Sequence, residues 1–483
     1  VPFLDRLQHW ARVQPDATAV TVGADRLSFA ALRDAATARL PATPRISVVC
    51  RPNGTAFAIA FAAGVAGGRH AAVLDPGWPV AQRLAVEARL AGLGAETGPA
   101  GKDGPFAVVG HVGVPPLGAE LRDGPPGRDF LYGFTSGTTS APKAFTRSRL
   151  SWQRSFALGA EFFGLTRHDR VLAPGPLSAS LTLYALAESL HTGAAFVTLP
   201  RFSAAEAVAS VTAEGITRIV AAPTVLRLIA AHALSVGSPG TGLTAIVSAG
   251  AKLDLASREL LRSWAPGARV FEYYGAAELS FVTASVLCPG DAVPLSATAV
   301  GQALPGVEVR IQDDAGRALP TGIAGTIFVR SPLVGSGYAW GDDGEAFRRE
   351  GDWCTVGDLG FLDRDAVLHH LGRRADLIVT SGHNVYPQQV EAALRDIPGV
   401  EHAVVTGVAD PVRGTRVVAA VIAGPEVDAT CLRSHVATLL AAPSRPRGYY
   451  ALAQLPLTPS GKISRVMLRR WIEDGDAHVH PLR

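Results

Sequence analysis

The sequence predicts an α/β protein: a large N-terminal domain with doubly wound sheets and an antiparallel β subdomain, then a small α+β C-terminal domain. Three observations carry this prediction. At 483 residues the chain exceeds the size at which a single hydrophobic core keeps growing, so two or more domains are expected. Between about residue 45 and residue 275, short β-rich runs alternate with longer helical stretches. From Gly301 this gives way to paired strands, and beyond about Gly372 to a smaller mixed unit.

Taken in order, the strand candidates are Arg45–Cys50 (RISVVC), Ala71–Asp75, Ala194–Leu199, Thr217–Ala222, and the runs LTAIVSAG and ARVFEYYG. Several are apolar throughout, as strands covered on both faces must be. Ala56–Gly67 and Ser151–Gly164 read as helices between them. Such alternation argues for mostly parallel sheets, in which ligands bind beyond the C-terminal strand ends. VEVRIQDDAGRALP and GTIFVRS then read as strands with a turn at Asp313–Gly316, closer to antiparallel β. The small unit has a strand at Asp376–Thr380 and a helix opening at Pro387. Proline suits a first helical position, because its missing N–H would have lacked a partner anyway. Strands VEHAVVTGV and TRVVAAVIAG, a helix from Asp428 and a loop at Ala442–Gly448 follow.

Hydrophobic residues make up 48% and charged residues 18%, too apolar for a disordered chain. The 45 basic and 42 acidic residues leave a formal charge of +3, which makes no case for a nucleic-acid or membrane-surface partner. Cys50, Cys288, Cys354 and Cys431 are scattered, with no CxxC pair and no histidine at ligand spacing. Neither a disulfide framework nor a structural zinc site is indicated. With no signal-peptide pattern and no apolar run of about 18 residues, a soluble cytoplasmic protein is expected.

The densest chemical signal is Thr135-Ser136-Gly137-Thr138-Thr139-Ser140-Ala141-Pro142-Lys143, entered from the apolar run FLYGF. Hydroxyls and free backbone N–H groups donate, Gly137 allows close approach and lysine supplies a point charge, a set suited to polyphosphate. It is not a Walker A loop, since GxxxxGK[ST] does not match. Further along stand Tyr273-Tyr274-Gly275-Ala276-Ala277-Glu278, Gly357-Asp358-Leu359-Gly360, Gly372-Arg373-Arg374-Ala375-Asp376 and Pro459-Ser460-Gly461-Lys462. Any one alone would pass for an ordinary turn or surface segment. Five in this order resemble the core motifs of the adenylate-forming superfamily: acyl-CoA synthetases, peptide-synthetase adenylation domains and beetle luciferases. The resemblance runs from about Leu27 to Ile472 and is closest in kind to acyl-CoA synthetases.

That resemblance implies a large AMP-binding domain over residues 1–371, a hinge at 372–376 and a small mobile lid domain over 377–483. It implies that Thr135, Ser136, Gly137, Thr138, Thr139 and Lys143 hold the ATP phosphates, and that Tyr274, between Tyr273 and Gly275, stacks on adenine. Ser248, Gly250 and Ala251 would line the adenine and acyl sites with backbone. Glu278 would ligate Mg²⁺, which favours hard carboxylate oxygen. Asp358 would accept from the ribose hydroxyls, with Arg373 donating nearby. Lys462 would reach the carboxylate and α-phosphate during adenylation, and Gly382 of Gly382-His383-Asn384 would face the arm of the thiol substrate.

Several residues depart from the family pattern around the nucleotide. Ser140 and Ala144 stand where glycines are usual, Ala277 where a hydroxyl usually meets the acyl-adenylate phosphate, Val356 for a usual threonine and Ala375 for a usual Asp or Lys. One lost hydrogen bond to a charged group is worth about 1.5–3 kcal/mol. Together these departures bear on the ATP half-reaction and little on binding of acyl-AMP. Leu177-Ser178-Ala179-Ser180 lacks the carboxylate that pairs with a substrate ammonium in amino-acid-activating relatives, which argues against an amino acid. Small residues at Gly175, Ser178, Ala179 and Ser180 suggest room for a bulky apolar acid. The leading expectation is an acyl-CoA ligase for such an acid, using ATP, Mg²⁺ and coenzyme A. The alternatives are a partial enzyme fed with acyl-AMP by a separate adenylating enzyme, a loader of a carrier-protein thiol, and a non-catalytic binding protein.

Overall fold

The computed structural model describes residues 3–40, 46–93, 95–96, 120–135, 142–293, 296, 298–342, 344, 347–380, 382–411, 414–457 and 463–482. They group into two compact units. One comprises Val1–Leu295, Val300–Val309 and Val329–Val356, the other Ser296–Ala299, Arg310–Phe328 and Gly357–Arg483.

In the first unit, Ala195–Thr198, Arg170–Leu172, Arg218–Ala221, Ala245–Ala249 and Arg269–Ala276 lie side by side as parallel strands. Thr18–Val22 extends them on one side, and Ser280–Leu287 pairs antiparallel on the other. The central strands are apolar on both faces because both are covered. Ile219, Ile246 and Val270 pack with Leu226, Ile229, Leu261 and Trp264. On the other face lie the helices Arg149–Phe163 and Ser180–Thr192, whose Phe156, Leu183 and Leu186 share a core with Phe196. Local chemistry sets the helix ends: Ser148 Oγ accepts from Ser151 N at 3.2 Å, and Gly164, with φ 67°, supplies the left-handed stop. A second sheet runs Ala95–Glu96, Ile46–Val49, His70–Val73, Asp129–Thr135, Lys143–Ser148 and Gly337–Trp340, the first four parallel. An N-terminal helix, Leu4–Val13, adds to the expected elements.

In the second unit, Asp358–Leu362 and Val367–Arg373 form an antiparallel pair. Ile378–Thr380 and His383–Val385 make a hairpin, followed by the helix Pro387–Arg395 with proline in its first turn. Val400–Asp410, Gly414–Ala423, Gly448–Leu452 and Val479–Pro481 form a four-stranded sheet around Val405, Ala419, Leu432 and Val436. Asp428 caps the helix Ala429–Leu439, accepting from Cys431 N at 2.7 Å. The α/β class, the strand positions and the mixed small unit agree with the sequence. No helix among the described residues is long and apolar enough to cross a membrane.

Candidate active site

The loop rich in hydroxyls connects two antiparallel strands of the second sheet, with Thr135 opposite Lys143 in register. Ser136, Gly137, Thr138, Thr139, Ser140 and Ala141 lie outside the described residues. Ala144 is fully buried within the strand, opposite Phe134 and Trp340. Its backbone is extended, so alanine costs no left-handed conformation there.

The segment around Tyr274 sits where parallel-sheet chemistry is expected, at the C-terminal ends of adjacent strands. Ser248 is opposite Glu272, and Ala249 opposite Tyr273. Side chains alternate across the sheet, so Tyr273 and Tyr274 face opposite sides. The strand runs through Gly275 to Ala276, and Ala276 pairs with Ser280, leaving Ala277, Glu278 and Leu279 at a tight hairpin tip. Ser280 closes the tip at φ 65°, a left-handed conformation uncommon outside glycine. Glu278 is therefore held rigidly. Its carbonyl accepts from Gly335 N at 2.7 Å and from Arg147 Nη1 at 3.1 Å, and its carboxylate accepts from the Tyr338 hydroxyl. Burial lowers the Arg147 pKa to about 10, which still leaves it cationic at neutral pH.

The loop after Ser248 has its own anchor, which sequence reasoning missed. Glu272, 3% exposed, accepts from Leu253 N at 2.7 Å, from Lys252 Nζ at 2.8 Å and from Arg258. One carboxylate thus pins Gly250, Ala251 and Lys252 beside the strand end. Gly250 takes φ 88°, which a side chain would strain.

A small cavity lies on the Tyr273 side of the sheet. Val220, Val247 and Tyr273 line it from the strands, and Leu181, Tyr184 and Glu188 from a helix. Tyr273 stands edge-on to Phe281, ring centroids 4.8 Å apart. Gly175, Ser178, Ala179 and Ser180 do not line this cavity. Burial pushes the Glu188 carboxyl up to about 8, with Arg218 acting in the opposite direction. Its unfolded value is close to 4.5, so the folded protein holds an extra proton between about pH 4.5 and 8. Relative to Glu188→Gln, native stability should be highest below about pH 4.5, fall as pH rises to about 8, and level off above. Chemical denaturation of both proteins across that range checks this; parallel curves would show an ordinary carboxyl.

In the second unit, Gly357 at φ 76° turns the chain into Asp358, which is 5% exposed and opposite Arg373 in register. Arg373 Nε lies 3.5 Å from Asp358 Oδ1, and His370 Nε2 3.6 Å from Oδ2. Arg374 is fixed by Thr326 Oγ1 at 2.9 Å and Asp314 at 2.5 Å. Gly382, at φ 77°, forms the tip of the hairpin carrying His383. Lys462 lies outside the described residues, as do Pro459, Ser460 and Gly461. No group of three or more potential metal ligands occurs among the described residues. Glu278 alone, steadied by Tyr338, fits an ion held mainly by substrate phosphates and water.

A profile described as AMP-binding enzyme matches residues 108–339, and one for the AMP-binding enzyme C-terminal domain matches 389–462. A Bacillus subtilis protein named as an uncharacterized acyl–CoA ligase, YhfT, is 32% identical over 447 residues, 90% of this chain and 89% of that protein. A 2-succinylbenzoate–CoA ligase of Bacillus licheniformis is 31% identical over 333 residues, 69% of this chain and 68% of that protein. Among solved structures, the amide bond synthetase McbA from Marinactinospora thermotolerans superposes with a TM-score of 0.79 at 29% identity, covering 96% of this chain and 99% of that one.

Proposed function

The chain belongs to the AMP-binding enzyme family, and from that premise we propose that it is an acyl-CoA ligase acting on a bulky, mainly apolar carboxylic acid. The match to a protein named as an acyl–CoA ligase along 90% of the chain carries this reading. The acid's carboxylate attacks the α-phosphorus of ATP, and the bond to pyrophosphate breaks. The thiol sulfur of coenzyme A then attacks the acyl carbonyl, and AMP leaves. Residues 135–143 and Tyr274 bind the phosphates and adenine, Asp358 and Arg373 the ribose, and Gly382 gives the thiol arm room. Lys462 offsets charge as the carboxylate attacks. Glu278 would hold Mg²⁺, which neutralises phosphate charge when bound. The division at residues 372–376, with Ala375 as pivot, belongs to the same proposal.

ATP–pyrophosphate exchange with a panel of aryl and branched acids tests the first half-reaction, since only a complete ligase runs adenylation reversibly. Turnover of supplied acyl-AMP with coenzyme A but no exchange would instead favour the partial enzyme, the reading that Ala277 supports. An amine acceptor is a second possibility, favoured by the likeness to an amide bond synthetase; offering acyl-AMP with an amine in place of the thiol separates the two. Asp358→Ala should weaken binding of a hydrolysis-resistant acyl-AMP analogue by about 1.5–3 kcal/mol. Unchanged calorimetric affinity in the folded variant would remove Asp358 from the site.

A further inference from the structure

Residues 335–340 belong to none of the five motif segments, yet they join two of them. Gly335 N donates to the Glu278 carbonyl at 2.7 Å, and Ser336 N to that of Thr146 at 3.0 Å. The chain then runs antiparallel to Lys143–Ser148, with Tyr338 opposite Phe145 and Trp340 opposite Ala144. Two steps on one strand match one step on the other, so Ala339 is the extra residue of a β-bulge. In a regular strand Tyr338 and Trp340 would face the same way. The bulge separates them. The Tyr338 hydroxyl donates to Glu278 Oε1. Trp340 lies on the Ala144 face, its ring centroid 5.9 Å from that of Phe134 and 6.4 Å from that of Tyr132. Its Nε1 donates to the Pro142 carbonyl at 3.1 Å. Gly341 follows so closely that an added Cβ would stand 3.0 Å from Lys143 Cγ.

We propose that Tyr338 and Trp340 are positioning residues for the nucleotide, working from the two faces of one bulged strand. Tyr338 holds Oε1 of Glu278 and leaves Oε2 for the ion that accompanies ATP. Trp340 fixes the Pro142 carbonyl, at the base of the residues 135–143 that bind the phosphates. One strand thereby sets the carboxylate and the phosphate loop in a common frame. This rests on the ligase reading above, with Glu278 as the metal ligand. The chemistry of each side chain suits its place. A phenol O–H orients a carboxylate without removing the charge that a cation needs, and such outer partners commonly contribute about 10–100-fold to metal affinity. An indole N–H donates and cannot accept, so at the loop base it can hold only an acceptor such as a carbonyl. Bulges are frequent beside active sites because they re-aim side chains in this way.

Calorimetry with ATP on the full chain, with no acid present, tests this without turnover. Affinity is measured with Mg²⁺ and with EDTA, and the ratio is the gain that the metal confers. Tyr338→Phe should cut that gain by about ten-fold or more. ATP affinity in EDTA should stay unchanged in this variant, as should affinity for an adenosine sulfamate, an acyl-AMP mimic that needs no metal. A merely structural tyrosine would weaken all three together. Glu278→Ala should abolish the gain, and adding Tyr338→Phe to it should cost nothing further, because the tyrosine acts through the carboxylate. Trp340→Phe keeps the aromatic packing without the N–H, and should lower ATP affinity about five-fold with and without metal, leaving the gain intact. An unchanged gain in Tyr338→Phe, or equal weakening of all three affinities, would overturn the tyrosine's role and leave the ligase reading in place. Unchanged ATP affinity in Trp340→Phe would overturn that of the tryptophan. If the unmodified protein bound the mimic but not ATP, this inference and adenylation would both fall, leaving the partial enzyme. Failure to bind either would overturn the ligase reading as well.

Discussion

Lys462→Ala is expected to lower ATP–pyrophosphate exchange by on the order of 10²–10³ while thioester formation from supplied acyl-AMP stays within a few-fold. The carboxylate and the α-phosphate are both anionic, so negative charge concentrates as they approach, and a cation aimed at that point acts more strongly on the transition state than on the bound substrates. The second step displaces AMP from a carbonyl and has no such concentration of charge. The assignment rests on Pro459-Ser460-Gly461-Lys462, a segment in which a lysine would otherwise be an ordinary exposed side chain. Equal loss in both half-reactions would show that the lysine serves a different step.

Glu272→Ala should cost about 3–5 kcal/mol, the range for removing one partner of a buried ion pair. Arg258 is 7% exposed and would keep its charge with nothing opposite it, and Leu253 N would lose its acceptor. Burial already pushes the Lys252 pKa down, with Glu272 acting to raise it, so removing the carboxylate should leave that lysine more easily deprotonated. The remedy is informative: replacing Lys252, Arg258 and Glu272 together by methionine should recover most of the loss, because apolar groups of similar volume need no partner. Urea unfolding followed by tryptophan fluorescence measures both. A loss below about 1 kcal/mol in the single variant would place Glu272 among weak surface pairs.

Much of the chain could be read from its residues alone because the signals are local. Strands such as Ala245–Ala249 are buried at every position, and a run that short and apolar has few alternatives. Helix ends at Ser148, Pro387 and Asp428 are written in the capping residue itself. The five motif segments were recognisable for a related reason: each packs its chemistry into four to nine consecutive residues. Residue types alone thus determined the α/β class, the family and the order of the five motif segments.

The supports of those segments were not legible. Arg147 reaches the Glu278 carbonyl across 131 positions, and Tyr338 reaches its carboxylate across 60. Glu272 looks like one more charge in an aromatic strand until the loop carrying Lys252 folds onto it. The cavity beside Tyr273 is the clearest case, since Glu188 of a helix and Arg218 of a strand line it together. Partners this far apart are chosen by strand register and by which helix covers which face. Those depend on how the whole core packs, and no residue's neighbours in the chain carry that information.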